Sequence, residues 1–275
     1  LIALIVLCAL LSFATDRFLT VNNITNVMLQ SATTGLVAVG MTFVIITGGI
    51  DLSVGSIVAL ASALGAGIMK DAMKSMPTGW AIVVSILIML AIGTAIGLLQ
   101  GLLISMLRMP AFIVTLAGMS IARSLTMVYT GGKTISGLPE EFASFGSNRI
   151  GGWLPVPVII LIAIFLISFY VLQYTALGRS LYALGGNREA AKLSGINTTQ
   201  VETITYAISG LASGIAAVVL TARLATATST AGEGYELEAI GAVVIGGASL
   251  AGGRGTMLGT FIGVLILGVI NNGQN

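Results

Sequence analysis

The sequence predicts an all-α, polytopic helical membrane protein, and three observations carry that prediction. Only 8% of the 275 residues are charged and 56% are hydrophobic, where ordinary soluble domains carry roughly 25% charged residues. A mean hydropathy of +1.04 gives the chain enough apolar surface for many helices to face lipid. The apolar residues also come in continuous runs, longer than the roughly 10-residue alternating segments of membrane barrels.

A spanning helix needs about 20 apolar residues, because a rise of ~1.5 Å per residue must cross roughly 30 Å of hydrocarbon. In order, the runs are 1–14, 30–48, 52–69, 80–107, 110–130, 155–174, 201–222, 239–250 and 256–271: nine passes or part-passes in a single transmembrane domain, 1–275. Leu1 is not a start methionine and Asn275 follows a continuing apolar run, so both ends are expected to be trimmed. The eighth run makes a helix only about 18 Å long, too short to span.

Two glycine-rich breaks resemble each other. Gly48, Gly49, Leu52 and Gly55 in GGIDLSVGS match Gly246, Gly247, Leu250 and Gly253 in GGASLAGG. Non-helical backbone at membrane depth is tolerated only where it is buried in protein or lines a watery cavity. The translocation-path candidates are therefore Gly48, Gly49, Asp51, Ser53, Gly246, Gly247 and Ser249, the alternative being a tight helix-to-helix turn at the membrane surface. Elsewhere glycines recur at four-residue spacing, as in Gly93, Gly97 and Gly101, in Gly210 and Gly214, and in Gly255, Gly259 and Gly263. Such small faces serve close packing within one bundle or a dimerisation face.

The net charge of +2 indicates no polyelectrolyte partner such as nucleic acid. The absence of His, with a single Cys, Cys8, removes imidazole catalysis, His-ligated zinc and any internal disulfide. Gly132-Lys133-Thr134 imitates a phosphate loop, but Met127 stands where GxxxxGK[ST] requires its first Gly.

The most polar long loop, 175–200, holds Arg179, Arg188, Glu189 and Lys192 and breaks at Gly185 and Gly186. Asn187 is suited to N-cap a short helix with Glu189 in its first turn, small Ala190 and Ala191 next, and a stop at Gly195. This reads as a surface helix, either nesting in a groove of a soluble partner or simply solvated.

The run Glu189-Ala190-Ala191, three residues, then Gly195 resembles the EAA-type coupling loop of permeases in ATP-binding-cassette importers. The surrounding LGRSLYALGGNREAAKLSGIN, with GGIDLSVGS at 48–56 and GGASLAGGRGTMLGT at 246–260, resembles the ribose-type monosaccharide permease group. The likeness extends to NNITNV at 22–27, MVYTGG at 127–132 and NNG at 271–273. It implies a type II importer-permease bundle of ten spans, about nine of them present, in the bacterial inner membrane. It also implies a homodimer, two ATPase subunits that use ATP and Mg, and a periplasmic sugar-binding protein, with no cofactor bound by this chain. The residues it places at the ATPase are Gly185, Gly186, Asn187, Glu189, Ala190, Ala191, Gly195 and Ile196.

With loop 175–200 placed in the cytoplasm by the resemblance, parity sends loops 70–79, 131–154 and 223–238 outward and Arg108 and Arg254 inward. The charge count, with Arg17, Lys70, Lys74, Lys133, Arg149 and Arg223 outside, does not decide the orientation. Ionisable groups at membrane depth default to functional hypotheses. Asp51 is expected to cap the N–H groups of Ser53 and Val54, or else to touch the solute path; Arg123 is expected to pair with a carboxylate or a carbonyl. Glu236 and Glu238 form a periplasmic docking surface or are solvated, and Glu202 lies near membrane depth.

A neutral polyhydroxyl solute needs weak polar groups and low affinity along its path. Three functions compete: a ribose-like sugar permease, a branched-chain amino-acid permease of related architecture, and an ion-coupled secondary transporter, which would need intramembrane carboxylates.

Overall fold

The computed structural model describes residues 2–15 and 18–273, and the side chains of Ala14 and Asn22 are also outside the description. Arg17, which parity assigns to the outer side, lies outside the described residues.

The order of elements is α1 (Ile2–Ala14), α2 (Val21–Ile46), α3 (Val54–Ala72), α4 (Thr78–Leu107), α5 (Ala111–Thr130) and α6 (Glu140–Ser147), then a small hairpin, β1 (Arg149–Ile150) and β2 (Leu154–Pro155). Next come α7 (Val156–Tyr174), α8 (Ala176–Gly186), α9 (Arg188–Leu193), α10 (Thr198–Leu224), α11 (Tyr235–Ile245) and α12 (Met257–Gly273). The two-residue antiparallel hairpin, which the apolar runs do not predict, is confined to a loop. Six of the described helices (α2, α3, α4, α5, α7 and α10) are long and apolar enough to cross a bilayer by length and composition. α1, α11 and α12 are shorter.

All five prolines stand at helix starts. Pro77, Pro110, Pro139 and Pro155 immediately precede α4, α5, α6 and α7, and Pro157 lies in the first turn of α7. A missing N–H is harmless there, because the first turn has no intrahelical acceptor to offer it.

α2, α3 and α10 are the central helices, and α4, α5 and α7 turn apolar side chains such as Leu87, Leu99, Ile121 and Ile167 to the outside of the bundle. The four-residue glycine spacing serves packing within the chain. A Cβ at Gly93 would strike Gly210 O, and one at Gly97 would strike Tyr206 O, so α4 and α10 cross backbone to backbone. Gly259 meets Gly246 and Gly263 meets Ala242 in the same way, closing α11 onto α12.

The loops sort onto two ends of the bundle as parity requires. At one end Lys70 Nζ donates to Ser136 O (2.7 Å), Ile135 and Ala227 exchange backbone hydrogen bonds (2.9 Å each), and Gly146 packs on Arg223. With loop 175–200 placed in the cytoplasm by the resemblance, this is the end assigned as outer. At the inner end Gly253 N–H donates to Ile46 O (2.9 Å), and Gly185 packs against both residues.

Candidate functional site

The break after α2 begins as a helix stop. Gly48 N–H donates to Ile45 O (2.9 Å) and Gly49 N–H to Val44 O (3.0 Å), with Gly48 at φ +81°. This paired pattern with a left-handed residue satisfies the last carbonyls of the helix. α11 ends identically: Gly247 N–H donates to Val244 O (2.9 Å), Ala248 N–H to Val243 O (3.1 Å), and Gly247 has φ +93°. Gly48 is thus the structural counterpart of Gly247, one residue out of step with the sequence match that set it against Gly246. The likeness of the two motifs is a likeness of helix stops.

Beyond the two stops the chain takes different courses. After α2 it runs through Asp51, which is completely buried. The Asp51 Oδ1 accepts from Ser53 N–H (3.0 Å) and Ser53 Oγ–H (2.6 Å), and its Oδ2 accepts from Ser209 Oγ–H of α10 (2.7 Å). The expected capping of Ser53 therefore occurs, while the other oxygen reaches across to α10 instead of to Val54. Gln100 of α4 lies 3.0 Å from Ser53 Oγ through its Oε1, with Nε2 buried and unpartnered. Since the single Ser53 hydroxyl proton is committed to Asp51, the network is better satisfied with the Gln100 amide turned over, its N–H₂ donating to Ser53 Oγ. Tyr206 completes the cluster, 1% exposed, with its hydroxyl against Gly49 where a Cβ would collide.

Ser209 lies eleven residues beyond Thr198, so the cluster sits about 16 Å along α10, at membrane depth. A second non-helical stretch, Ala225 to Gly234, meets the first there: Gly55 and Gly232 touch through their backbones. Arg123 holds this stretch by donating from one guanidinium nitrogen to Ser229 O (2.7 Å) and Ala231 O (3.0 Å), so its partners are carbonyls. Glu236 and Glu238 do not form a solvated outer surface. Glu236 Oε2 is buried beside Gly55, and Glu238 accepts from Thr34 Oγ1–H (2.9 Å) and Asn271 Nδ2–H (3.4 Å).

Gly246, Gly247 and Ser249 lie elsewhere. Gly246 packs on Gly259, and Ser249 closes a tight turn in which its N–H donates to Arg254 O (3.0 Å) and its carbonyl accepts from Gly252 N–H (2.9 Å). That turn abuts Gly48 and Gly185 at the inner end, which is the surface-turn alternative. The stretch that does meet the first break at depth, 225–234, carries no glycine doublet, so motif likeness gives no sign of it.

The polar loop folds into α8 and α9 as its residues suggest. Asn187 Oδ1 accepts from Ala190 N–H (3.0 Å), capping α9. Gly195 (φ +84°) ends it, with Ile196 N–H donating to Ala191 O (3.1 Å). The small face is divided, however. Ala191 is 4% exposed and faces the protein, and Gly185 is wedged against Ile46 and Gly253, whereas Glu189, Ala190 and Gly195 are exposed and Gly186 faces open space. The outward face carries Leu193, 88% exposed, an apolar residue that the polarity of the loop conceals.

Arg188 binds Glu202 of α10 through two parallel hydrogen bonds (3.0 and 2.7 Å). These bonds raise the pKa of the guanidinium further, so Arg188 stays charged throughout the physiological range. Glu202 is therefore a partnered carboxylate. The pair lies on the wall of an inner vestibule of about 500 Å³ that ends at Thr47, Gly48 and Gly49. Glu202, Tyr206 and Ser209 succeed one another at four- and three-residue spacing along one face of α10, so one helix face touches α9, Gly49 and Asp51 in turn.

Residues 23–275 match the family model described as branched-chain amino acid transport system / permease component. The chain is 46% identical over 278 residues to the ribose import permease protein of Escherichia coli (strain K12), covering all of this chain and 84% of the relative. It is 48% identical over 276 residues to the ribose import permease protein of Bacillus subtilis (strain 168), covering all of this chain and 83% of the relative. The D-allose transport system permease protein of Escherichia coli (strain K12) is 38% identical over 264 residues, covering 96% of this chain and 79% of the relative. No solved structure gives a significant match.

Proposed function

We propose, for a chain that belongs to the branched-chain amino acid transport system / permease component family, that it is the membrane-spanning subunit of an ATP-driven importer for a monosaccharide, ribose or a close relative. The observation that carries the reading is the identity of 46 to 48% to ribose import permeases along the whole chain. The family description mentions branched-chain amino acids, but the three relatives carry sugar names, which favours a sugar over an amino acid. The chain is a non-catalytic, multi-pass component of a bacterial inner membrane importer. Separate ATPase subunits supply the energy using ATP and Mg, a periplasmic binding protein delivers the sugar, and a second copy of this chain completes the membrane unit.

In this reading the ATPase seats on α8 and α9. Their outward residues Ala190, Leu193 and Gly195 make the contact, and the Arg188–Glu202 pair carries displacement of α9 into α10. Ser209, on the same face, passes it to Asp51 and the break at 47–53. A helix is stiff along its axis, and both ends of this route are held by charge-assisted hydrogen bonds, which supports a mechanical link. An ion-coupled transporter is less well supported, because Glu202 is paired and Asp51 is satisfied by neutral donors.

Uptake into proteoliposomes, with and without ATPase and binding protein and with sugars and amino acids as competitors, tests the proposal. Accumulation should require ATP and both partners and be competed by ribose. Accumulation driven by a proton or sodium gradient without ATP would overturn it.

A further inference from the structure

A second polar cavity, of about 180 Å³, lies between α2, α10, α11 and α12 in the outer half of the bundle. Its polar lining includes Ser31, Thr34, Arg223, Tyr235, Glu238 and Asn271. Polar residues inside a membrane bundle are costly unless they are satisfied or functional. Here the satisfaction is incomplete. Ser31 is 4% exposed, and its hydroxyl finds no hydrogen-bond partner. Glu238 and Arg223 line the same cavity, yet no ion pair joins them among the described residues. Glu238 is held by neutral donors, Thr34 and Asn271, and Arg223 donates to Leu29 O (3.0 Å). Gly268 lies under the Ser31 hydroxyl, and a Cβ there would fill the space that the hydroxyl occupies.

We infer that this cavity is a weak binding site for a neutral polyhydroxylated molecule the size of one sugar ring. One carboxylate and one guanidinium cancel, so the site favours no net charge. Carboxylate, guanidinium, amide and hydroxyl together offer both donors and acceptors, as a ring of hydroxyls requires. Val264 and Leu267 give it an apolar wall for the ring's C–H face. At ~30 Å³ per water the space holds about six waters, room for a monosaccharide and too little for a disaccharide. The site deepens the importer reading by naming a place where sugar rests within each protomer, and it rests on that reading for the choice of sugar. Weak occupancy suits a transport path, where tight binding slows release.

The test uses full-length permease in nanodiscs, without ATPase or binding protein, titrated with D-ribose and read by saturation-transfer NMR. Saturable transfer with a dissociation constant in the millimolar range is expected, weakened at least tenfold by Glu238→Gln, which preserves shape. Gly268→Leu, which fills the cavity, should abolish it, and sucrose and L-leucine should fail to compete. Absence of saturable transfer, or equal binding in Glu238→Gln, overturns the site, and so does displacement by L-leucine, which would indicate a zwitterion. Because no ATP enters the experiment, these failures stand apart from failure of the importer reading, which ATP-dependent uptake decides.

Discussion

If α9 seats in an ATPase groove, Leu193 is the side chain on which docking depends most. It is 88% exposed at the end of α9, on the face that also presents Ala190, whereas Ala191 is turned inward. Leu193→Ala removes about three carbons' worth of apolar surface, and at ~0.8 kcal/mol per buried methylene that is about 2 kcal/mol of docking energy. At ~1.4 kcal/mol per decade the affinity for ATPase should fall about 30-fold. Ala191→Trp should behave oppositely, because the added bulk is driven into the permease's own packing and costs about 1 to 3 kcal/mol of the fold. The assay pairs membrane yield and thermal stability of the permease with co-purification at graded ATPase concentration. Leu193→Ala should be normal in the first and deficient in the second, and Ala191→Trp deficient already in the first. Unchanged ATPase affinity in Leu193→Ala would refute the docking of α9 in a groove.

Ser147 and Ser194 flank loops separated by the single span α7. Cysteines placed there one at a time in a Cys8→Ala background should react with an impermeant thiol reagent from opposite sides, and labelling of both from one side would remove the single crossing. Gly97→Ala should lower the melting temperature, since its Cβ strikes Tyr206 O of α10 and overpacking costs about 1 to 3 kcal/mol. Gly79→Ala in the first turn of α4 meets open space and should raise stability by about 0.5 to 1 kcal/mol through reduced chain entropy, both read by thermal unfolding in detergent.

The helices were legible because lipid imposes a length and a composition on them. Segments 110–130 and 155–174 match α5 and α7 to within one residue at each end. The eighth segment was misplaced by about four residues, because the apolar run 239–250 includes the helix stop at Gly246 and Gly247 and omits the polar first turn with Glu236 and Glu238. Carboxylates suit a helix N-terminus, and that signal outranked hydropathy. The cap and stop of α9 were legible from Asn187 and Gly195, whereas the inward turn of Ala191 was not, since small residues serve both buried and docking faces. At the Asp51 cluster, Gln100 was detectable as the one amide in a helix whose other polar side chains are all hydroxyls. Ser209 carried no signal, because serines that bond back to their own helix look the same in sequence.

Asp51 is the residue on which the ion-coupled and ATP-driven readings make different demands. A carboxylate that binds a coupling ion must keep its charge, so an amide in its place abolishes coupling. A carboxylate that ties the break at 47–53 to α10 needs only hydrogen bonds, and Asn supplies most of them. In Asp51→Asn the carbonyl oxygen still accepts from Ser53 N–H and Oγ–H, and Ser209 Oγ reverses to accept from the new N–H₂, because a hydroxyl both donates and accepts. The cost is the difference between charge-assisted and neutral hydrogen bonds, about 1 to 2 kcal/mol. Asp51→Leu leaves the buried Ser209 hydroxyl and the Ser53 N–H without their acceptor, at about 1 to 3 kcal/mol each, keeps only Gln100 beside Ser53 Oγ, and unties the break from α10. ATP-driven uptake should therefore survive at reduced rate in Asp51→Asn and vanish in Asp51→Leu while ATP hydrolysis by the assembled importer continues in both. Loss of uptake in Asp51→Asn as complete as in Asp51→Leu would mean that the negative charge itself is used, and the tie between α10 and the break would no longer explain Asp51.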